Sequence, residues 1–508
     1  MNQDYELLEK AAFDPTARAL VLQLEEADLP LYTTLRLLEP WTSVRYEDTD
    51  AGNSLLFADL FGDSARHVGD RNCWYVYEKG VWKPDPNGRA VNEKAKLLAR
   101  LMHLNSLDQV GRSGRLAARR LDRLYSNAGR RTLLSDAAGI YELKADDFDA
   151  DPWLLNCQNG VLDLRTGQFR QHRSGDLMTR MAQVSYDPDA RCPRWEQFMH
   201  QVMQSPGTRQ LAMEEDAQEP AAQKAAYLQR AMGYALTGDT REECLFILYG
   251  ASTRNGKGTM METFMRLMGD YARAAQPSTI GLQPFGHNAS APSEDLARLQ
   301  GARFVSVAEP DRNLTLSAAL LKQMTGNDTI TARYLHENSF EYHPQFKLFI
   351  NTNHLPRVND LTLFQSGRIR LVPFERHFEE SEQDKTLKDF FARPENLSGI
   401  LNWCLDGLKA YLQDGLGEPD PVRRATARYQ RENDRVARFM EECLMPSPGA
   451  RTRTSQVYAR YRQWCEDNGE RPETSQLFLR ALAQKASVTR LRPDSQSAKT
   501  TVLMDYQL

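Results

Sequence analysis

One stretch constrains this chain more than any other: Cys244-Leu-Phe-Ile-Leu-Tyr-Gly250-Ala-Ser-Thr-Arg-Asn255-Gly256-Lys257-Gly258-Thr259. The apolar run reads as a buried strand, the polar segment as a loop, and Thr259 to Gly269 as a helix stopped by glycine. Strand, loop and helix with Lys after Gly at the helix mouth is the layout of a P-loop. There, successive N–H groups and the partial positive charge of the helix N-terminus hold phosphate. On this reading Arg254, Asn255, Gly256 and Gly258 wrap the phosphates, Lys257 reaches the β/γ-phosphates and Thr259 holds Mg²⁺, so ATP and Mg²⁺ are the expected ligands. The usual motif has four residues between its first Gly and Gly-Lys; here five separate Gly250 from Gly256, and Gly258 precedes the hydroxyl residue. A plain Gly-Lys turn between strand and helix is the competing reading.

At 508 residues the chain is long enough for several domains. A net charge of −4 excludes a polybasic nucleic-acid coat, so any nucleic-acid contact must come from local basic surface. No apolar run approaches the roughly 20 residues of a membrane span, and the start lacks a basic n-region and an apolar h-region. The seven cysteines include no Cys-x-x-Cys pair, which predicts reduced thiols and no structural zinc.

Ahead of the loop, residues 1–45 read as amphipathic helix. Asp48-Thr-Asp50 has the form of a polymerase carboxylate pair, against the simpler reading of an exposed acidic turn. Cys73 to Trp82 alternates and predicts a hairpin turning at Lys79-Gly80, whose Trp74 and Trp82 could stack bases or pack a small core. Val91–Leu104 and Arg115–Ser126 read as helices. Arg115, Arg119 and Arg123 share one face of the second, either merely solvated or tracking phosphates. Met213–Gln223 reads as a flexible joint before a helix over Ala225–Leu236.

Four apolar segments alternate with helical ones from Cys244 onward, which predicts a mostly parallel α/β sheet. The second, Arg303 to Glu309, ends in the carboxylate that a P-loop enzyme needs for the Mg²⁺ shell and the attacking water, with Asp311 as a second candidate. The third, Lys347 to Asn353, places a neutral amide where it can orient water without repelling phosphate; an Asn that caps the turn before Pro356 is the alternative. The fourth, Arg368 to Phe374, has Arg368 and Arg370 on one face, as fingers for a neighbouring copy's nucleotide or as surface ion pairs. Between the second and third lie two alternating strands with a polar turn at His336–Ser339, a hairpin that would project from the sheet.

In this order, Asn255-Gly-Lys-Gly-Thr259, the strand ending in Glu309, Leu320-Leu-Lys-Gln-Met-Thr-Gly-Asn-Asp328, Thr352-Asn-His-Leu-Pro356 and Arg368-Ile-Arg-Leu-Val-Pro-Phe374 resemble superfamily 3 helicases, most closely the phage/plasmid primase-helicase branch. Asn159-Gly-Val-Leu-Asp-Leu-Arg-Thr-Gly167 and Cys192-Pro-Arg-Trp195 are similar to that family's poxvirus-type N-terminal domain. The resemblance implies an AAA+-type homo-hexameric ring that moves on single-stranded DNA and opens forked duplex with ATP, in the cytoplasm of a bacterial host cell. It assigns Lys257 and Thr259 to phosphate and Mg²⁺, Glu309 to hydrolysis, Asn353 to γ-phosphate sensing and Arg368 to the trans finger. It places Lys322, Arg333, His336 and Asn338 on DNA in the central channel. The chain departs from the pattern in its longer loop, in Pro310 after Glu309, and in Gly367-Arg368 where two arginines are usual, which leaves the finger between Arg368 and Arg370. A polymerase-like primase module is not recognisable, so primer synthesis is not expected of this chain; a separate primase or polymerase is a candidate partner, and its recruitment stays open.

Pro421–Leu508 carries 16 Lys/Arg against 10 Asp/Glu. Helices over Ser455–Glu466 and Ser475–Ala486 precede a hairpin of Val488–Arg492 and Thr501–Met504, which suggests a winged helix docking on DNA or on protein. In the DNA case Arg480, Arg490, Arg492 and Lys499 meet phosphates or bases. The expected fold is thus multidomain α+β and α/β: a helical segment (1–45), a mixed α+β domain (46–190), a helical collar (191–236), a P-loop AAA+-like ATPase core (237–400), its helical C-terminal part (401–445) and a winged helix (446–508). Two rivals are an origin-binding initiator that melts DNA without processive unwinding, and a small-molecule P-loop kinase.

Overall fold

The computed structural model describes residues 14–25, 28–107, 113–205, 215–282, 293–310, 314–335, 338–491 and 500–508. The chain divides into two compact units, one running to Pro188 with Leu267–Tyr271, the other Asp189–Arg266 with Ala272–Leu508.

In the first unit, helices Asp50–Phe61, Arg89–Ser106, Ser113–Tyr125 and Asn127–Ala137 accompany two small antiparallel sheets. One has the order β1 (Ala65–Val68), β2 (Cys73–Glu78), β3 (Val81–Asp85); the other joins β4 (Leu154–Cys157), β5 (Gly160–Asp163) and β6 (Phe169–Arg170). The β2–β3 turn falls at Lys79 and Gly80, both at positive φ (49° and 84°), the conformation that matches strand twist in a two-residue hairpin. Trp82 is buried and its Nε1 donates to the Ser174 carbonyl at 2.8 Å, which makes it a core residue and not a platform for bases. Asp48 and Asp50 lie 3.6 and 3.7 Å from the Arg123 guanidinium, so the acidic turn is an ion-pair cluster rather than a polymerase site. Its neighbour Arg120 is buried over the Trp41 ring, with Nε on Asn53 Oδ1 at 2.5 Å and Nη1 on the Pro40 carbonyl at 2.6 Å. Of the expected phosphate-tracking face, Arg123 is thus engaged with Asp48 and Asp50 and Arg119 is exposed, while the Arg115 side chain lies outside the described residues.

The second unit is built on a parallel sheet of five strands in the order β13 (Ile369–Pro373), β7 (Leu245–Tyr249), β12 (Lys347–Thr352), β9 (Phe304–Ala308), β8 (Ala272–Ala275). The sequence pattern predicts four; β8 has no apolar run, because an edge strand of Ala-Arg-Ala-Ala buries little. One face carries an aromatic row, Phe246, Phe349 and Phe304, with centroids 4.7 and 4.8 Å apart, and Phe264 of helix Lys257–Met268 packs edge-on against Phe304. The other face carries Leu245, Ile247, Val305, Val307, Leu348, Ile350 and Leu371, covered by helix Ala318–Thr325 and by Tyr429 of helix Asp420–Asn433.

A helix begins at Glu215 and runs to Leu236, where a joint was expected before Ala225; Ala, Gln and Glu lack a hydrophobic stripe but favour helix. It crosses helix Pro394–Asp414 at Gly233 and Gly407. A Cβ on Gly233 would sit 2.3 Å from the Leu408 nitrogen, and one on Gly407 2.1 Å from the Gln229 carbonyl oxygen. Two buried cations hold the C-terminal end of Glu215–Leu236: Arg303 Nη1 donates to Leu236 O at 2.8 Å, and Lys347 Nζ donates to the carbonyls of Thr237, Asp239 and Gln345. Burial and the nearby Arg303 charge push the Lys347 pKa well below its ordinary value.

Helix Arg435–Cys443 opens the C-terminal segment. β14 (Met445–Arg453), helices Thr454–Asp467 and Ser475–Ala483, β15 (Val488–Leu491) and β16 (Thr500–Gln507) follow it. The strands form an antiparallel sheet in the order β14-β16-β15. Phe439, Tyr461, Trp464 and Phe478 make the core, with Tyr461 and Phe478 stacked at 4.3 Å. β14 was not expected; its Pro, Gly, Arg and Thr residues hide the alternation.

Candidate functional site

The C-terminal ends of β7, β12 and β9 converge on loop 250–256. Gly256 takes φ +83°, and a Cβ on it would lie 2.3 Å from Val202 Cγ1; a Cβ on Gly250 would lie 2.8 Å from Lys257 Nζ. Neither position can carry a side chain. Arg254 adopts φ +56° without being glycine, a conformation held from outside the loop. Phe378 N donates to Arg254 O at 2.9 Å and His377 Nδ1 to Thr253 O at 2.8 Å, so the segment after β13 clamps the loop. The buried Asn255 braces it from within, Nδ2 to Ser252 O at 2.7 Å.

Helix Lys257–Met268 starts where the loop ends. Lys257 is buried, and its Nζ donates to Asn353 Oδ1 at 2.9 Å and to Gly250 O at 3.4 Å. Burial lowers the Lys257 pKa to about 8, against the opposing pull of the Glu309 carboxylate. Asn353 follows the end of β12, the strand between β7 and β9. Glu309 follows β9, exposed at φ +46°, with its N–H on Asn351 O at 2.9 Å. An ammonium, an amide and a carboxylate thus stand together along one sheet edge beside a glycine-bearing loop. Asp311 lies outside the described residues.

A cavity of about 450 Å³ opens beside the loop, lined by Arg254, Gly256 and Thr259 together with Phe198, Phe378 and Gln201. Thr259 therefore lines this cavity, while Gly258 directly follows Lys257. Phe198 and Phe378 come from helix Pro193–Val202 and from the segment after β13. No local sequence signal marks them, because they meet the loop only through the fold. Asn351 was also passed over; its Oδ1 is buried and has no hydrogen-bond partner among the described residues.

The two candidate finger arginines sit differently. Arg370, within β13, has its Nη1 on Glu418 Oε2 at 2.5 Å and is a part-buried structural ion pair. Arg368, just ahead of β13, has Nη2 on Glu243 Oε2 at 2.6 Å and Nη1 on Thr325 Oγ1 at 2.9 Å.

The expected hairpin is present as β10 (Ile330–Ala332) and β11 (Phe340–Tyr342), paired antiparallel. Tyr334 stacks on Phe340 at 5.8 Å, while Leu335 and Asn338 near the tip are exposed. Arg333 is half-buried, and its N–H donates to Ser293 Oγ at 3.1 Å. Lys322 lies on helix Ala318–Thr325 with Nζ on Asp360 Oδ2 at 2.9 Å and Thr362 Oγ1 at 2.7 Å. His336, Arg492 and Lys499 lie outside the described residues, whereas Arg480 and Arg490 are exposed on helix Ser475–Ala483 and β15.

Three family models match the chain: "D5 N terminal like" over residues 54–204, the family of unknown function DUF5906 over 248–368, and "Poxvirus D5 protein-like" over 431–504. The chain is 26% identical over 389 residues to "Putative helicase 022R" of Frog virus 3, covering 64% of this chain and 40% of that one. It is 21% identical over 373 residues to "Putative primase C962R" of African swine fever virus, covering 68% and 37%. The chain is thus similar to D5-type viral primase-helicases. It spans 40% or less of the length of those relatives, and 34% of "Putative helicase L207/L206" of Acanthamoeba polyphaga mimivirus, to which it is 25% identical over 63% of its own length. Among solved structures it is similar to the apo structure of the NrS-1 C-terminal region, with 10% identity, a TM-score of 0.47, and coverage of 89% of this chain and 99% of that one. Among its described residues, no helix is long and apolar enough to cross a membrane.

Proposed function

We propose that this protein is an ATP-driven DNA helicase of a viral, phage or plasmid replicon, in which ATP is hydrolysed between copies of the chain in a ring. The observation that carries this reading is Lys257 at the mouth of its helix, 2.9 Å from Asn353 and beside Glu309. The nucleoside would occupy the cavity of Phe198 and Phe378, and the phosphates would lie along loop 250–256. Lys257 would trade its contact with Gly250 O for a phosphate oxygen, which explains why a buried ammonium is retained there. Asn353 would hold the terminal phosphate and the attacking water without adding charge, and Glu309 would take the water's proton. Glu309 and Thr259 are the described candidates to hold Mg²⁺, which supplies neutralisation of phosphate charge when bound. Arg368 would reach the nucleotide of the neighbouring copy. The hairpin β10–β11, with Arg333 on the turn side of β10 and Lys322 on the helix that precedes it, would track a single strand.

The order of helix, strand, two helices and two strands in the C-terminal segment supports a winged helix whose exposed Arg480 and Arg490 would contact duplex phosphates. The same feature favours the second reading, an origin-binding initiator that melts DNA locally. Strand displacement on a forked duplex separates the two. We expect ATP-dependent displacement by the wild type and none by Lys257→Ala. Site-specific melting that survives Lys257→Ala would favour the initiator.

A further inference from the structure

Arg368 is held by its own chain at two points that belong to different working parts. Its Nη2 donates to Glu243 Oε2 at 2.6 Å, and its Nη1 donates to the Glu243 carbonyl at 3.3 Å and to Thr325 Oγ1 at 2.9 Å. Glu243 closes around the guanidinium from a left-handed backbone conformation, φ +46°, just ahead of β7, the strand that leads to the phosphate loop. Thr325 is the last residue of helix Ala318–Thr325, and the chain then runs directly into the hairpin strand β10. The Thr325 hydroxyl is buried and itself donates to Leu321 O at 2.7 Å, so it moves only with the helix. One turn earlier, Lys322 binds Asp360 and Thr362, which fastens that helix to the segment leading to Arg368 a second time.

We propose that Glu243 and Thr325 are positioning residues for hydrolysis: they keep the Arg368 guanidinium on its own subunit until a nucleic-acid strand shifts the hairpin and, with it, Thr325. The inference rests on the reading of Arg368 as a trans-acting finger and adds what controls it. An arginine bound to a carboxylate, a hydroxyl and a carbonyl is not available to a neighbour's phosphate. Freeing it requires that one holder move, and Thr325 is the holder attached to the element that would meet DNA. The coupling is then a shift between two states of one side chain, biased by the strand.

The test compares ATPase rates of the full chain with and without single-stranded oligonucleotide, for the wild type, Glu243→Gln, Glu243→Asp, Thr325→Val and Thr325→Ser. Breaking the half-exposed ion pair is expected to raise the DNA-free rate of Glu243→Gln about fivefold, so that stimulation by DNA falls toward onefold. Thr325→Val should move the same way, while Glu243→Asp and Thr325→Ser keep the wild-type ratio. A purely structural role would lower both rates together. That result, or an unchanged ratio in Glu243→Gln, overturns the proposal. Because Glu243 is half-exposed, its substitution reports even if Thr325→Val fails to fold. A wild type whose ATPase ignores DNA altogether would instead overturn the helicase reading, and the proposal with it.

Discussion

If loop 250–256 holds nucleotide as proposed, the buried Lys257 should make affinity depend on pH in a direction fixed by its environment. Lys257 titrates at about 8 in the free protein because burial disfavours its charge. A bound polyphosphate favours the ammonium and returns the pKa toward its ordinary 10.5, so affinity follows the fraction of free protein that is already protonated. That fraction falls from about three quarters at pH 7.5 to about a tenth at pH 9, which weakens binding about eightfold over this interval, with little change below pH 7. The sign is fixed by the direction of the shift: a pKa lower in the free state means that binding takes up a proton. Equilibrium titration with a fluorescent ATP analogue at four or five pH values measures it directly. Lys257→Arg, whose guanidinium does not titrate in this range, should bind with a flat profile. A wild-type dissociation constant that stays constant from pH 7.5 to 9 would refute the placement of Lys257 against phosphate. The same lysine should make the ligand-free protein gain stability as pH rises from about 8 toward 10.5, since the folded state there holds fewer protons than the unfolded one.

Arg368→Ala is expected to lower ATP turnover by about 10³-fold with nucleotide affinity nearly intact, the mark of a group that acts in the transition state. Arg370→Ala, by orphaning Glu418, should instead lower the unfolding midpoint, which calorimetry would detect. Gly233→Ala would press a methyl group onto backbone atoms of helix Pro394–Asp414 and is expected to cost about 1–3 kcal/mol in denaturant unfolding. Lys347→Met removes the donor from one buried and two part-buried carbonyls and should cost about 1–3 kcal/mol by the same measurement. Arg490→Ala should weaken duplex binding modestly and reduce the slope of log affinity against log salt by about one.

The central strands were legible because a strand buried on both faces is written as a continuous apolar run, as at Leu245–Tyr249 and Lys347–Thr352. The β9 and β12 runs lead into Glu309 and Asn353, and the Gly-Lys-Gly-Thr motif after β7 marks Lys257, which is why these three residues could be singled out from sequence. β8 and β14 were not legible: an edge of alanines and a strand of Pro, Gly and Arg have no pattern to read. Charge was misleading in the opposite sense. Arg115, Arg119 and Arg123 share one helix face that reads as solvated or as phosphate-tracking, yet Arg123 binds Asp48 and Asp50 and the adjacent Arg120 binds Asn53, partners about 70 residues away in the chain that no local window contains. The cavity wall of Phe198 and Phe378 was missed for the same reason, and so was the hold of Glu243 and Thr325 on Arg368.

Subunit mixing tests the claim that each hydrolysis site is shared between two copies. Lys257→Ala and Arg368→Ala are each expected to be nearly inactive alone as ATPases. Mixed at equal concentration, about a quarter of random head-to-tail interfaces would pair an intact Lys257 with a neighbour's intact Arg368, so ATP turnover should rise well above either variant. A mixture no more active than the average of its two components would contradict the account.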